Sequence, residues 1–137
     1  MDYAAVNWLA VIVATVASMA LGFAWYMALS RQWLAAIGKT REELRPNDPA
    51  PYIWSVIVQL VMAYFIALLT PRLFGETNVA NGILTGILMW AGFVITSMIL
   101  NHRYQGAPWA LTVIDGGYLL GVTIVQGAVI GLFGLFT

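Results

Sequence analysis

Asp115 is the one charged residue in the last 34 positions of the chain, residues 104–137. Placing a carboxylate at the centre of a membrane helix costs about 2.5–3.5 kcal/mol on insertion scales, so such residues often have a functional role. An acid at that depth could bind and release a proton, which is the chemistry that a proton-coupled carrier needs. The alternative is structural: if the helix starts late, Asp115-Gly116-Gly117 forms a cap or a bend near the membrane surface.

Few other residues could take part in chemistry. At about 100° per residue, Gln126 lies almost in line with Asp115, and Tyr118 lies on its flank. These residues, with Thr96 of the preceding apolar segment and Arg103, are the candidates for a polar path or a proton site. Arg103 could instead form an ion pair with Asp115. A single His and no Cys argue against a metal or a haem, and no nucleophile stands near a base. We therefore expect no cofactor and no enzyme activity.

The composition is that of a membrane protein. Of the 137 residues, 61% are apolar and 9% are charged, whereas soluble domains have about 45–50% and about 25%. A soluble domain of this size could not bury so much apolar surface. These proportions exclude a soluble enzyme, a nucleic-acid binder and a disordered chain, and they leave the lipid bilayer as the expected surroundings.

Four long uncharged intervals predict the fold. Each is long enough for one helix across a hydrocarbon core of about 30 Å and too short for two. They predict an all-α, polytopic protein that forms a single bundle of four transmembrane helices. The predicted spans are Val6–Leu29, Tyr52–Leu69, Asn81–Leu100 and Pro108–Phe136. Pro71 is the expected stop of the second span.

The basic residues predict the orientation. Five of the six lie in the first and third loops: Arg31, Lys39, Arg41, Arg45 and Arg103. Only Arg72 lies in the second loop. Because cytoplasmic loops carry the excess of Lys and Arg, loops one and three should be cytoplasmic and both termini should lie outside. We expect a multi-pass protein of the bacterial inner membrane.

Loop one, residues 30–51, is the one sizeable polar segment. Thr40-Arg41-Glu42-Glu43 fits a capping box and predicts the start of a short helix. Pro46, Pro49 and Pro51 then predict an extended lead into span two. Trp33, Leu34 and Ile37 are typical of a stretch that lies on lipid headgroups.

Small residues at helical spacing predict how the helices pack, because close backbone approach holds membrane helices together. Helix four carries the pairs Gly117/Gly121 and Gly127/Gly131, roughly opposite its polar face. Helix one carries Ser18 and Gly22. Because helix four has both a polar face and a glycine face, it should contact protein on both sides. One face could serve a second subunit; the alternative is that both pack inside one four-helix bundle.

Several of these positions resemble a known family. Asn7-Trp8, Gly22, Trp25-Tyr26, Trp33 and Gly38 open the chain as in small bacterial membrane proteins of the domain-of-unknown-function 1761 family. Gly117-Tyr118, with Gly127 and Gly131, is similar to the closing segment of that family. The resemblance implies a four-helix integral membrane protein without an assigned activity, and it brings no catalytic residue.

Two functions remain from the sequence. The first is a small non-enzymatic membrane protein that acts by helix–helix association, as a homo-oligomer or as an accessory subunit of a larger membrane complex. The second is a proton-coupled transporter or channel for a small solute that uses Asp115. An enzyme that acts on lipid is the least favoured reading, because only His102, Arg103 and Asp115 could converge.

Overall fold

The computed structural model describes residues 2–44 and 48–134 of the chain, and within them it is all-helical with no strand. Four helical stretches are long and apolar enough to cross a membrane. The α-helices are α1 Trp8–Ala28, α2 Ser30–Ile37, α3 Ala50–Phe74, α4 Val79–Met89, α5 Ile95–Tyr104 and α6 Trp109–Gly134. Spans one, two and four are α1, α3 and α6, whereas span three joins α4 to α5, Val79–Tyr104.

Two ends of the bundle follow from this order. Loop one and the turn before α6 lie at one end, called here the loop-one end. Residues 2–7 and the turn between α3 and α4 lie at the other, called here the terminal end. The Asn7 side chain caps α1 by accepting a hydrogen bond from the Ala10 N–H. The Asn78 side chain caps α4 by accepting one from the Asn81 N–H.

Loop one is more helical than its polarity suggests. After a break at Leu29 the chain forms α2, which carries Trp33, and α2 ends at Gly38 in the left-handed conformation with φ 70°. The predicted capping box is present, with Thr40 and Glu43 bonded to each other around a single 3₁₀ turn, Arg41–Glu43.

Two predictions made from prolines are wrong. Span two does not stop at Pro71, because α3 continues through it and ends at Gly75, with φ 80°. Nor is the chain extended up to Pro51, which lies in the first turn of α3; the first-turn N–H groups have no partner inside a helix, so a proline there loses nothing. Arg45 and Pro46 lie outside the described residues.

Span three contains a π-helical turn at Trp90–Val94, which separates α4 from α5. The turn changes how the span packs. In α4, Gly82, Thr85 and Gly86 are buried, whereas α5 has no buried residue. The loop-one half of span three therefore lies looser on the bundle than its other half.

The central helix is α6, which packs against α1, α3, α4 and α5. Its glycines face helices of the same chain. Gly117 and Gly121 lie against Trp25 and Leu21 of α1, and Gly127 contacts the backbone of Gly82 in α4. Gly131 likewise lies against Asn78. These four glycines thus lie against residues of the same chain.

The dry core lies toward the terminal end. It consists of small and branched side chains that are almost completely buried, and Val6, Tyr64, Val129 and Phe133 pack around it. Its buried members are Ala10, Val11, Ala14, Ala63, Ile66, Ala67 and Ile130. The alanines let α1 and α3 approach closely, and this layer closes the bundle at that end.

Candidate functional site

A buried polar network joins three helices in the middle of the bundle. The Ser18 hydroxyl of α1 lies 2.6 Å from Gln59 Oε1 of α3, and Gln126 Nε2 of α6 donates to Ser18 Oγ at 3.1 Å. The same Nε2 donates to the Gln59 carbonyl at 2.9 Å. All three side chains are at most 3% exposed. Such bonds hold membrane helices in register because hydrocarbon offers no other partner.

Tyr118 extends this network toward the loop-one end. The nitrogen of the Gln59 side-chain amide also takes part. Its Nε2 donates to Tyr118 Oη at 2.7 Å and to Ser55 Oγ at 2.8 Å. The phenol ring lies on Gly22 of α1, where a Cβ would stand 2.8 Å from the hydroxyl oxygen. Gly22 therefore makes room for Tyr118 within the chain.

Asp115 lies one turn closer to the loop-one end, on the inner face of α6. It accepts a hydrogen bond of 2.5 Å from the Tyr26 hydroxyl of α1. The Tyr26 ring meets the edges of Tyr118, at a centroid distance of 5.1 Å, and of Trp33 in α2, at 5.8 Å. The Asp115 side chain is partly exposed, and the aromatic ring that bonds it packs on rings of α2 and α6.

Two indole groups fix the backbone on either side of Asp115. Trp25 of α1 donates its Nε1–H to the carbonyl of Ile114 at 3.0 Å, and Trp90 of span three donates to the carbonyl of Gly116 at 2.8 Å. Because both carbonyls are held by side chains of neighbouring helices, the turn of α6 that carries Asp115 has a fixed position. Asp115 is thus part of the helix rather than a cap or bend before it.

A second polar cluster lies at the start of α6. The Thr112 hydroxyl accepts a hydrogen bond from Arg103 Nη2 at 2.8 Å and lies 2.7 Å from His102 Nδ1. Arg103 also donates to the Ala107 carbonyl at 3.0 Å, and its guanidinium carbon lies 3.6 Å from the centre of the Trp109 ring. These contacts close the turn between α5 and α6.

The expected ion pair between Arg103 and Asp115 is not formed. Arg103 bonds Thr112 and Ala107, whereas Asp115 bonds Tyr26. Arg103 Nε is buried without a hydrogen-bond partner, and so is Gln126 Oε1. Two charges of opposite sign, Arg103 at the end of α5 and Asp115 in α6, therefore lie at the loop-one end of the bundle without a hydrogen bond between them.

The structure brings some of the predicted polar residues together and leaves others apart. Tyr118, Gln126 and Asp115 share the inner face of α6. Thr96 does not join them: it is exposed on α5, and its hydroxyl bonds the Gly92 carbonyl of its own helix. Tyr26 is a member that the sequence did not single out, whereas the spacing of Ser55 and Gln59 places both on one helix face and the two side chains are hydrogen-bonded.

The chemistry available to this arrangement is limited. Among residues 2–44 and 48–134, no three His, Cys, Asp or Glu side chains lie close enough to hold a metal ion. The polar groups form a string from Asp115 to Gln126, about 16 Å along α6 at 1.5 Å per residue. Beyond Gln126 the bundle is closed by the dry core. The string reaches from the loop-one end to mid-bundle and stops there.

Comparison with known proteins gives one result. The model of a protein family described as "Protein of unknown function (DUF1761)" matches residues 9–131. No curated protein and no solved structure matches the chain. The matched stretch contains spans two and three, nearly all of spans one and four, and every residue of the two polar clusters. The chain therefore belongs to the DUF1761 family, as its opening and closing motifs indicated.

Proposed function

We propose that this chain is a non-enzymatic membrane subunit that acts by helix–helix association, as a homo-oligomer or as an accessory subunit of a larger membrane complex. The support comes from α5 rather than from the glycines of α6, which are occupied within the chain. The observation that carries the proposal is that α5 has no buried residue within the part of the chain that the structure describes.

The exposed side of α5 is unusual among the four spans. Only 11% of the apolar window of span three is buried, against 28–39% in the other three. In the loop-one half, α5 packs mainly on α6. The free side of α5, together with Phe93 of the preceding π turn, is called here the α5 face. It combines large apolar and polar side chains: Phe93, Ser97, Leu100, Asn101 and Tyr104.

The polar members distinguish the α5 face from an ordinary lipid-facing surface. Asn101 exposes an amide that can donate and accept hydrogen bonds, and such groups associate membrane helices when they meet a partner in another chain. By contrast, the exposed side of α3 is almost entirely apolar between Val56 and Val61. The proposal therefore places the contact with a second copy, or with a larger partner, on α5.

Cysteine cross-linking tests this directly, because the chain contains no cysteine. Single variants Ser97→Cys and Leu100→Cys are oxidised in native membranes and separated on a non-reducing gel. In a two-fold symmetric dimer, residues near the axis meet their own copies, so both variants should form a disulfide-linked dimer. The matched control is Val58→Cys, which is 50% exposed on α3.

The outcomes separate the two forms of the proposal. A band of twice the chain mass from Ser97→Cys or Leu100→Cys, and not from Val58→Cys, supports a homo-oligomer. A discrete larger adduct, dependent on the same positions, supports an accessory subunit. Equal cross-linking from α3 and α5, or none from either, contradicts association through α5.

We also propose that the protein lies in a bacterial inner membrane with the loop-one end in the cytoplasm and both termini outside. The support is the distribution of charge: Arg31, Lys39 and Arg103 lie at the loop-one end, and Arg72 lies at the terminal end. A membrane-impermeant thiol reagent applied to intact cells should label Thr77→Cys and spare Lys39→Cys. The reverse pattern, or labelling of both, contradicts this orientation.

A proton-coupled carrier is the second candidate, and the string of polar groups from Asp115 to Gln126 is the observation that favours it. Transport would require the dry core beyond Gln126 to open, because Ala10, Ala14 and Ala63 are fully buried there. In proteoliposomes, Asp115→Asn should abolish proton-dependent solute flux while Glu76→Gln leaves it intact. Undiminished flux in Asp115→Asn contradicts a carrier that uses this acid.

A further inference from the structure

Arg103 and Asp115 present opposite charges at one end of the bundle without pairing. Arg103 bonds Thr112, which lies three residues before Asp115 on α6. The Thr112 and Asp115 side chains are therefore neighbours on that helix, with Cβ atoms about 5–6 Å apart. Arg103 bonds a hydroxyl and a backbone carbonyl, and Asp115 bonds the Tyr26 hydroxyl, so neither charge forms a salt bridge among the residues that the structure describes. At a membrane interface such unpaired charges are costly, and a ligand that carries both signs would compensate them together.

We propose that this end of α6 binds the headgroup of a zwitterionic phospholipid of the ethanolamine type. The phosphate contacts Arg103 and His102, and the ammonium contacts Asp115. Arginine suits phosphate because its planar guanidinium offers several donors. A primary ammonium offers three N–H donors to the carboxylate, which accepts from Tyr26 at one oxygen.

An apolar groove gives the reason for choosing a lipid over a free zwitterion. The groove lies between α3 and span three, has a volume of ≈ 310 Å³, and is lined by Met62 and Phe65 on one side and Phe93 and Val94 on the other. Phe93 and Val94 lie nine or ten residues before Arg103, about 14 Å along the helix. An acyl chain that descends along α5 from a headgroup at Arg103 would reach this groove.

Lipid binding to the purified protein tests the proposal. Native mass spectrometry of the protein in detergent gives apparent dissociation constants for phosphatidylethanolamine and for phosphatidylglycerol, which has a phosphate and the same tails but no ammonium. The wild type should bind phosphatidylethanolamine more tightly. Asp115→Asn keeps the shape of the side chain. It should weaken the binding of phosphatidylethanolamine about tenfold, the effect of losing roughly one charge-assisted hydrogen bond, without weakening the binding of phosphatidylglycerol.

Further arms fix the site and the source of the headgroup. Arg103→Gln should weaken the binding of both lipids. Glu76→Gln removes an exposed acid at the opposite end and should change the binding of neither. Soluble glycerophosphoethanolamine should not displace the lipid at matched concentration. Three results would overturn the proposal: no preference for phosphatidylethanolamine in the wild type, an equal effect of Asp115→Asn on both lipids, or efficient competition by the soluble headgroup.

Discussion

The backbones of Gly82 in α4 and Gly127 in α6 are in contact, so a Cβ atom on either residue would overlap the carbonyl group of the other. No flexible side chain lies between them that could move aside. This contact fixes the distance between spans three and four toward the terminal end. It also explains why both residues are buried within the chain itself.

The first prediction follows from that contact. Gly127→Ala should destabilise the fold by about 1–3 kcal/mol, the usual cost of overpacking, because the two helices must separate. The measurement is reversible unfolding in mixed micelles. Gly92→Ala is the matched control, since a Cβ there meets no atom within 4 Å. If the two variants have the same stability, the close approach of α4 and α6 is wrong.

The glycines that face α1 should respond more mildly. A Cβ at Gly121 would stand 2.8 Å from Leu21 Cδ2, and a Cβ at Gly117 would stand 3.1 Å from Trp25 Cζ2. Both contacts are with side-chain atoms, and the Leu21 side chain can change its rotamer to make room. Gly121→Ala should therefore cost less than Gly127→Ala in the same unfolding assay. A larger loss from Gly121→Ala would contradict the assignment of rigid and yielding contacts.

These variants also distinguish folding from assembly. Because Gly121 and Gly131 pack inside the monomer, Gly121→Leu and Gly131→Leu should lower the yield of folded protein rather than convert an oligomer to a well-folded monomer. Size-exclusion chromatography with light scattering, together with helical circular dichroism, separates the two effects. A stable, fully helical monomer from either variant would return these glycines to an interface between chains.

The mid-bundle network should contribute through coupling between helices. Gln126→Leu and Ser18→Ala each remove one partner of the 3.1 Å bond between α6 and α1. A double-mutant cycle should give a coupling energy of about 0.6 kcal/mol and at most about 1.7 kcal/mol, the average and the maximum for hydrogen bonds between membrane helices. Thr96→Val, whose hydroxyl bonds only its own helix, should show no coupling to Gln126→Leu. Additive effects of Gln126→Leu and Ser18→Ala would show that the bond has no energetic role.

The two indole bonds around Asp115 predict a local effect. Trp90→Phe keeps an aromatic ring but removes the N–H that the Gly116 carbonyl accepts. The backbone amides of this turn of α6 should then exchange with solvent deuterium faster, by severalfold, while amides near Gly127 keep their rates. Trp54→Phe is the control, since Trp54 is 64% exposed on α3. Unchanged exchange at Asp115 would mean that the helix alone fixes this turn.

Apolar runs and uncharged intervals predicted the all-α fold with four spans, because crossing a membrane requires length and hydropathy that are visible in one sequence. Periodicity also placed Asp115, Tyr118 and Gln126 on one face of α6. It did not show what that face meets. Gly127 could contact α4 or another chain with the same pattern, and only the three-dimensional packing distinguishes the two.

Other features depended on tertiary contacts that no local rule records. Pro71 lies in the last turn of α3, so its missing N–H and its ring disturb a single turn before the helix ends, and Arg72 donates to the Leu68 carbonyl in that turn. The π turn at Trp90–Val94 has no signature in the sequence letters. Tyr26 appeared in the sequence only as part of the opening motif, and nothing local shows that its hydroxyl bonds Asp115.

The mass of the purified protein in lipid nanodiscs tests the central claim, association through the α5 face, most directly. The account predicts a multiple of the 15.0 kDa chain mass, or a defined complex with a larger partner. Ser97→Trp should reduce that mass to 15.0 kDa, whereas Val58→Trp should leave it unchanged. A wild-type protein that remains a single 15.0 kDa chain at every protein concentration, with no partner retained, would contradict the account.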